Sequence, residues 1–216
     1  MSLWSRLFNA NDTAAIDEQR WIVLDVETTG LDMHHDKLLA IAAVALHVAA
    51  PATPRIVLQD SFEAVLHHES PSADKDNILL HGIGVDAQRS GAPVRAVLTS
   101  FEHWLGRSPL LAFHADFDRT MIGRAMKAEL QRGLHNRWLD LAPVASTLHP
   151  DVGARALDDW LEHFGIDCAV RHQAAADTLA TAELLLRLWP AARRMQCATF
   201  AGLSDLARQQ RWLRSG

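Results

Sequence analysis

The chain is 216 residues long, 49% apolar, with a net charge of −5 and no tyrosine. That length and apolar share predict one domain with a sizeable core, with room for a short appendage, and exclude global disorder. No run approaches the roughly 18 apolar residues of a membrane span, and Met1 to Phe8 lacks the apolar centre of a signal peptide. Cys168 and Cys197 have no metal-binding spacing and imply no disulfide framework, so a reducing cytoplasm is the simplest setting. The charge does not advertise a nucleic-acid binder and does not exclude one, because acidic metal ligands count against the total while bound cations do not appear in it.

Residues 1–20 read as a lead-in, with Leu3, Trp4, Leu7 and Phe8 forming one apolar turn that docks on the body or on a partner. Trp21 to Gly30 then reads as a short buried strand closed by a turn. Leu38 to Val48 is apolar almost throughout and predicts a strand buried on both faces. Arg55 to Leu66 puts Ile56, Leu58, Phe62 and Leu66 on one face, the pattern of a half-buried strand. Short loops join the three, which predicts an antiparallel meander. His67 to Asp76 reads as loop. Pro93 opens a helix with Val94, Val97, Leu98, Phe101, Trp104 and Leu105 at helical spacing, ended by Gly106. Leu110 to Phe113 is a fourth strand. A helix from Asp116 turns Phe117, Met121, Ile122, Ala125 and Met126 inward and stops at Gly133. Trp138 to Leu141 gives a fifth strand. Leu157, Trp160, Leu161 and Phe164 mark a helix closed by Gly165, and a long helix runs from near Gln173 to Pro190. Ala198 to Gly216 reads as an amphipathic helix that packs on the domain or, less simply, docks to a partner. The fold class is therefore α/β, a central five-stranded mixed sheet flanked by helices.

The chemistry gathers on four acids. Side chains alternate along a strand, so Asp25 and Glu27 share a face, with Cα atoms roughly 6 to 7 Å apart. Ile22, Leu24 and Val26 take the other face. Two ionised carboxylates side by side on a core strand repel and are costly to desolvate, which calls for a cation between them; the plain alternative is a strand end whose acids reach water. A divalent ion with oxygen ligands, Mg²⁺ above all, fits that demand. Asp118 follows the fourth strand. Asp177 shares a helix face with Thr181, Leu184 and Leu188, so it points coreward and needs a partner, although its place near a helix start also suits the dipole. His172, at the same helix start, reads by itself as a solvated cap.

The sequence Asp-Val-Glu-Thr-Thr-Gly at 25–30, the pair Phe117-Asp118, and His172 five residues before Asp177 resemble the three motifs of the DEDDh 3′–5′ exonucleases. That group includes the proofreading epsilon subunit of bacterial replicative DNA polymerase, ribonuclease T and oligoribonuclease. Leu80-His81-Gly82-Ile83 is similar to the family's His-Gly-Ile segment. The resemblance covers roughly residues 20 to 190, and each motif is weak alone but specific in combination. It implies a ribonuclease H-like fold and an exonuclease domain over 21–190, with 191–216 a helical extension. It implies two divalent ions, Mg²⁺ or Mn²⁺, held by Asp25, Glu27, Asp118 and Asp177, and His172 as general base. Thr28, Thr29, Gly30 and Leu31 would hold the 3′-terminal nucleotide, although Thr28 and Thr29 also suit simple turn chemistry. His81 would make at most a substrate-side contact, or serve a structural turn. The absence of tyrosine excludes the sister class with tyrosine in the last motif.

Two departures stand out. The family often has His-Asn ahead of Phe-Asp, where this chain has Phe113-His114, and Asp116 adds an acid that reads as a helix N-cap. The paired histidines His34, His35, His67 and His68 read as surface residues. The expected activity is metal-dependent hydrolysis from 3′ ends, releasing nucleoside 5′-monophosphates. Single-stranded DNA comes first as substrate and RNA or short oligonucleotides second. The rival is a polymerase-associated binding module with weak activity, its partner contacted through residues 1–20 and 198–216. No membrane partner is expected.

Overall fold

The computed structural model describes residues 18–215, so the apolar turn read at Leu3 to Phe8 lies outside the described residues. Strands β1 (Arg20–Thr28), β2 (Leu38–His47) and β3 (Arg55–Val65) come first. Helices α1 (Lys75–His81), α2 (Val85–Ser90) and α3 (Val94–Leu105) follow. Then come β4 (Leu110–Ala112), α4 (Asp116–Leu130), β5 (Trp138–Asp140), α5 (Leu141–Leu148), α6 (Leu157–Phe164), α7 (Ala174–Arg194) and α8 (Phe200–Ser215). One five-stranded sheet runs β3-β2-β1-β4-β5. The first three strands are the antiparallel meander expected, and β4 and β5 join parallel to β1. It is a ribonuclease H-like arrangement, a mixed sheet with helices on both faces. Among the described residues no helix is long and apolar enough to cross a membrane.

Each sheet face carries its own core. On β1, Trp21 and Val23 enter one cluster with α5, α6, α7 and α8, while Ile22, Leu24 and Val26 enter the other with α3 and α4. Asp25 and Glu27 continue the Trp21 face beyond the end of the packed core. β2 lies between β1 and β3 and is buried from Leu38 to Leu46, which explains its unbroken apolar run.

β3 departs from the pattern read in the sequence. Ile56 packs on the first cluster and Phe62 on the second, while Leu58 is 60% exposed. The ladder steps from Val44↔Ser61 to Ala45↔Val57, so Leu58, Gln59 and Asp60 have no place in it. An odd insertion exchanges the faces of a strand. The bulge is tied down from β1: Arg20 donates to Asp60 from Nε at 2.6 Å and Nη2 at 2.8 Å, and its guanidinium lies 4.7 Å over the Trp104 ring.

Helix boundaries follow local chemistry more than the apolar period. α1 begins where Asp74 accepts the Asn77 N–H at 3.0 Å and ends at Gly82 with φ 75°. Its Leu79 and Leu80 stay exposed, so no buried stripe announced it. Gln88, fully buried in α2, donates to Ser72 and Ile83 carbonyls and accepts the Ser72 N–H, which pins the preceding loop. The fifth strand ends at Asp140 and not Leu141, because the Asp140 carboxylate caps α5 through the Ala142 N–H at 3.1 Å. α4 stops at Leu130, with Gln131 left-handed, short of the expected Gly133. Its N-cap is Ala115, so Asp116 is the first helical residue and not the cap. α7 continues through Pro190 to Arg194, because Trp189, Ala191 and Ala192 are buried and their packing outweighs one missing hydrogen bond.

α8 is part of the first core. Phe200, Leu203, Leu206 and Ala207 are buried there, and the Phe200 ring meets Trp21 edge-on at 5.4 Å. Arg137 lies 4.7 Å over that ring and pairs with Glu18 at 2.6 Å. Truncating Phe200 to Ala should cost about 3–5 kcal/mol, the range for a fully buried aromatic. Urea unfolding followed by far-UV circular dichroism checks it; a loss under about 1 kcal/mol would mean α8 is not docked.

Candidate active site

β4 pairs with β1 at Ile22 and Val23 and stops at Ala112 while β1 runs on to Thr28, and the chain leaves β4 through Phe113-His114-Ala115 into α4. Asp118 therefore sits in the first turn of α4, next to the end of β1. α7 crosses the sheet from the other face, anchored where Thr178 Oγ1 donates to the Ala42 carbonyl at 3.2 Å. That sets Asp177, in the first turn of α7, above the same strand end. Asp118 and Asp177 are 3% and 6% exposed, so neither is a surface acid.

One cavity of about 480 Å³ joins them. Its walls include Asp25, Glu27, Asp118, Asp177 and His172, together with Thr28, Gly30, Leu31 and His81. Thr29 is not on the wall. Its hydroxyl donates to Asp36 at 2.7 Å and accepts the Lys37 N–H at 2.9 Å, which is turn chemistry. Thr28 turns its hydroxyl onto the Gly30 carbonyl at 2.6 Å. At Gly30 the approach is close: a Cβ there would stand 2.5 Å from the Asp36 carboxylate that holds Thr29 and the Asp32 N–H, and would displace it.

His81 is buried, and both its nitrogens are used. Ile83 N–H donates to Nδ1 at 2.9 Å, so Nε2 carries the proton and donates to Asn77 Oδ1 at 2.6 Å. Burial holds its pKa below the usual histidine range, consistent with a neutral ring that braces α1. His172 lies at the open rim, with φ 61°, a left-handed backbone uncommon outside glycine. Its backbone N–H donates to Asp177 Oδ2 at 3.1 Å.

Several cavity residues carry no site role in the sequence reading. His114 also has positive φ, 63°, and its N–H donates to the Asp140 carboxylate at 3.0 Å. Asp140 thereby shapes the turn into α4, a link between residues far apart in sequence. Asn77 and Leu80 enter from α1, Leu157 from the start of α6, and Phe113 and Phe117 from the β4–α4 junction. Arg171 enters beside His172. Its Nη1 donates to Asp177 Oδ1 and its Nε to Asp158 Oδ1 on α6. Its position just before the histidine was the available signal.

The electrostatics are those of crowded carboxylates. Burial raises Asp25 well above the ordinary aspartate range, and Asp118, Glu27 and Asp177 push further; Arg171 opposes them. Glu27 is raised to about 8, first by burial and then by Asp177, against Arg171 and the Ala174 N–H. Asp118 is raised by burial, then by Asp140 and Glu27, against its own and Val26's backbone N–H groups. An all-oxygen donor set with unneutralised charge fits a hard divalent cation. Among the described residues no three such side chains stand ready around one point, and Asp177 is held by Arg171 instead.

The sequence model of the family described as Exonuclease, of the RNase T type, matches residues 22–185. The chain belongs to this exonuclease family. Its motifs place it in the DEDDh group of the ribonuclease H-like superfamily. Among curated proteins it is 30% identical over 174 residues to DNA polymerase III PolC-type from Bacillus subtilis (strain 168), covering 80% of this chain and 12% of that one. The corresponding protein of Listeria monocytogenes is 29% identical over 186 residues, covering 86% and 12%. The chain thus spans about an eighth of the length of these relatives. Among solved structures, E. coli Exonuclease I in complex with a dT13 oligonucleotide superposes with TM-score 0.67 at 16% identity, over 82% of this chain and 42% of that one. Exonuclease X in complex with 5′ overhanging duplex DNA gives 0.65 at 18%, over 87% and 99%. At these identities the structural likeness speaks to the fold.

The raised acids make a signed prediction. A carboxyl whose folded pKa exceeds its unfolded value holds a proton that the unfolded chain releases, so its contribution to stability falls as pH rises between the two. For Glu27 that window runs from about 4.5 to about 8. In EDTA, Glu27→Gln should match the wild type in melting temperature near pH 5 and exceed it increasingly toward pH 8. A difference that stays flat across this range would contradict the crowding.

Proposed function

We propose that this exonuclease domain is a divalent-cation-dependent 3′–5′ exonuclease that removes nucleoside 5′-monophosphates from nucleic-acid ends. The observation that carries the reading is the convergence of Asp25, Glu27, Asp118 and Asp177 on one cavity with His172 at its rim. In this reading the four acids hold two ions, Mg²⁺ or Mn²⁺. Bound there, such ions supply positive charge to the scissile phosphate and acidify a water. His172 lies on the solvent side of the cavity, where a ring nitrogen takes the proton from the attacking water. The water oxygen bonds to phosphorus, the P–O3′ bond breaks, and the 3′ oxygen takes a proton from solvent. Leu31, 86% exposed, and Leu80, 51% exposed, give the mouth apolar surfaces for the terminal sugar and base, while Thr28 and Gly30 offer polar backbone beside them.

Single-stranded DNA is the favoured substrate. Its support is the similarity to DNA polymerase III PolC-type proteins and the folds whose solved complexes carry a dT13 oligonucleotide and 5′ overhanging duplex DNA. RNA or short oligonucleotides are the alternative within the class. The polymerase likeness also favours a second reading, a domain that works beside a polymerase. The core face of α8 is already buried, so such a partner would be sought on residues 1–17 and the outer face of α8.

With 5′-labelled single-stranded DNA and RNA, a ladder shortening from the 3′ end should appear with Mg²⁺ or Mn²⁺ and vanish in EDTA. Asp118→Asn should abolish it, and His172→Ala should slow it by ~10²- to 10⁴-fold, the range of a lost general base. Folded protein that leaves both substrates intact with both metals would remove the autonomous enzyme and leave the partner-dependent reading.

A further inference from the structure

Arg171 stands between two acids of different character. Asp177, on α7, is 9% exposed in its side chain; Asp158, on α6, is 61% exposed. The arginine side chain, 25% exposed, reaches both at once. Among the described residues that line the cavity it is the one Lys or Arg. A guanidinium does not deprotonate, so it is a fixed charge placed against a cluster of carboxylates.

The oxygen it uses matters. Asp177 Oδ2 is occupied by the His172 N–H at 3.1 Å, and Arg171 takes Oδ1, with Cys168 Sγ 3.5 Å from the same atom. A cation bound at Oδ1 would share that oxygen with the guanidinium. Two cations at contact distance from one oxygen repel strongly in a partly dry site. Arg171 and a bound ion are therefore competitors for Asp177. Asp158 changes the outcome of that competition, because it lets the guanidinium leave Asp177 without becoming unpaired.

We propose that Arg171 is a positioning residue that neutralises Asp177 while no cation is bound and shifts onto Asp158 when one arrives, so that this pair sets the cation affinity of the site. The proposal rests on the reading of the four acids as cation ligands. It differs from a structural role in the sign of two substitutions. If Arg171 only braced α6 against α7, loss of either partner would loosen the site and weaken ion binding. If it competes, loss of Arg171 strengthens binding, and loss of Asp158 weakens it by leaving the guanidinium with Asp177 alone.

The test is Mn²⁺ titration of the full 216-residue chain by calorimetry, with the Mn²⁺-induced rise in melting temperature as a second readout. Arg171→Ala and the bulkier Arg171→Gln should bind Mn²⁺ roughly tenfold more tightly, the scale of one partly buried charge contact. Their metal-free melting temperature should fall. Asp158→Asn should bind a few-fold more weakly, and the double variant should follow Arg171→Gln. Weaker or unchanged binding in folded Arg171→Gln, or a change of the same sign in Asp158→Asn, overturns the proposal while leaving the cation site standing. No Mn²⁺ binding by the wild type overturns the cation reading and this proposal together.

Discussion

The structure turns on the cost of holding like charges out of water. Asp25, Glu27, Asp118 and Asp177 are brought to one strand end where burial alone raises the pKa of three of them, and their mutual repulsion raises it further. Such an arrangement opposes folding and persists only if something gains from it. A site that receives cations gains: a carboxylate cluster with unspent charge is a strong binder of a hard divalent ion. Arg171 supplies a single compensating charge, too little to balance the cluster and enough to hold Asp177 in place.

The scaffold makes that cost bearable by rigidity. β1 is clamped by β2 and β4, and its two faces are locked into separate apolar clusters. Asp118 and Asp177 both occupy first turns of long helices, where the partial positive charge of the helix start favours carboxylates and, equally, an incoming phosphate. The two left-handed histidines, His114 and His172, mark the turns that aim these helices at the strand end. His114 is fixed by Asp140, which is not on the cavity wall, and His172 by Asp177, which is.

Around this acidic floor the rim is apolar and open. Leu31, from the loop after β1, and Leu80, from α1, are exposed on the cavity wall. His81 does not look outward as a recognition residue; both its nitrogens brace the turn that presents Leu80. The division is physical: charge at the bottom and apolar surface at the mouth, which the proposed function gives to the phosphate and to the sugar and base.

Much of this was written in the sequence. Period-two alternation put Asp25 and Glu27 on one face of β1, and helical spacing put Asp177 on a coreward face, because both depend only on local backbone geometry. The antiparallel meander and the mixed sheet followed from strand lengths and short loops. What the sequence could not state depends on distant partners. The β3 bulge that exchanges Ile56 and Phe62 between faces comes from its register against β2, and Asp60 in that bulge is held by Arg20. α1 shows no buried stripe and α5 no exposed one, so neither has the amphipathic period by which helices are read. Asp140, Asp158 and Arg171 are ordinary charged residues until the fold sets them beside His114 and Asp177. Local spacing determined which carboxylates could share a face; only tertiary packing decided which charges meet, because Coulomb interactions act across space and not along the chain.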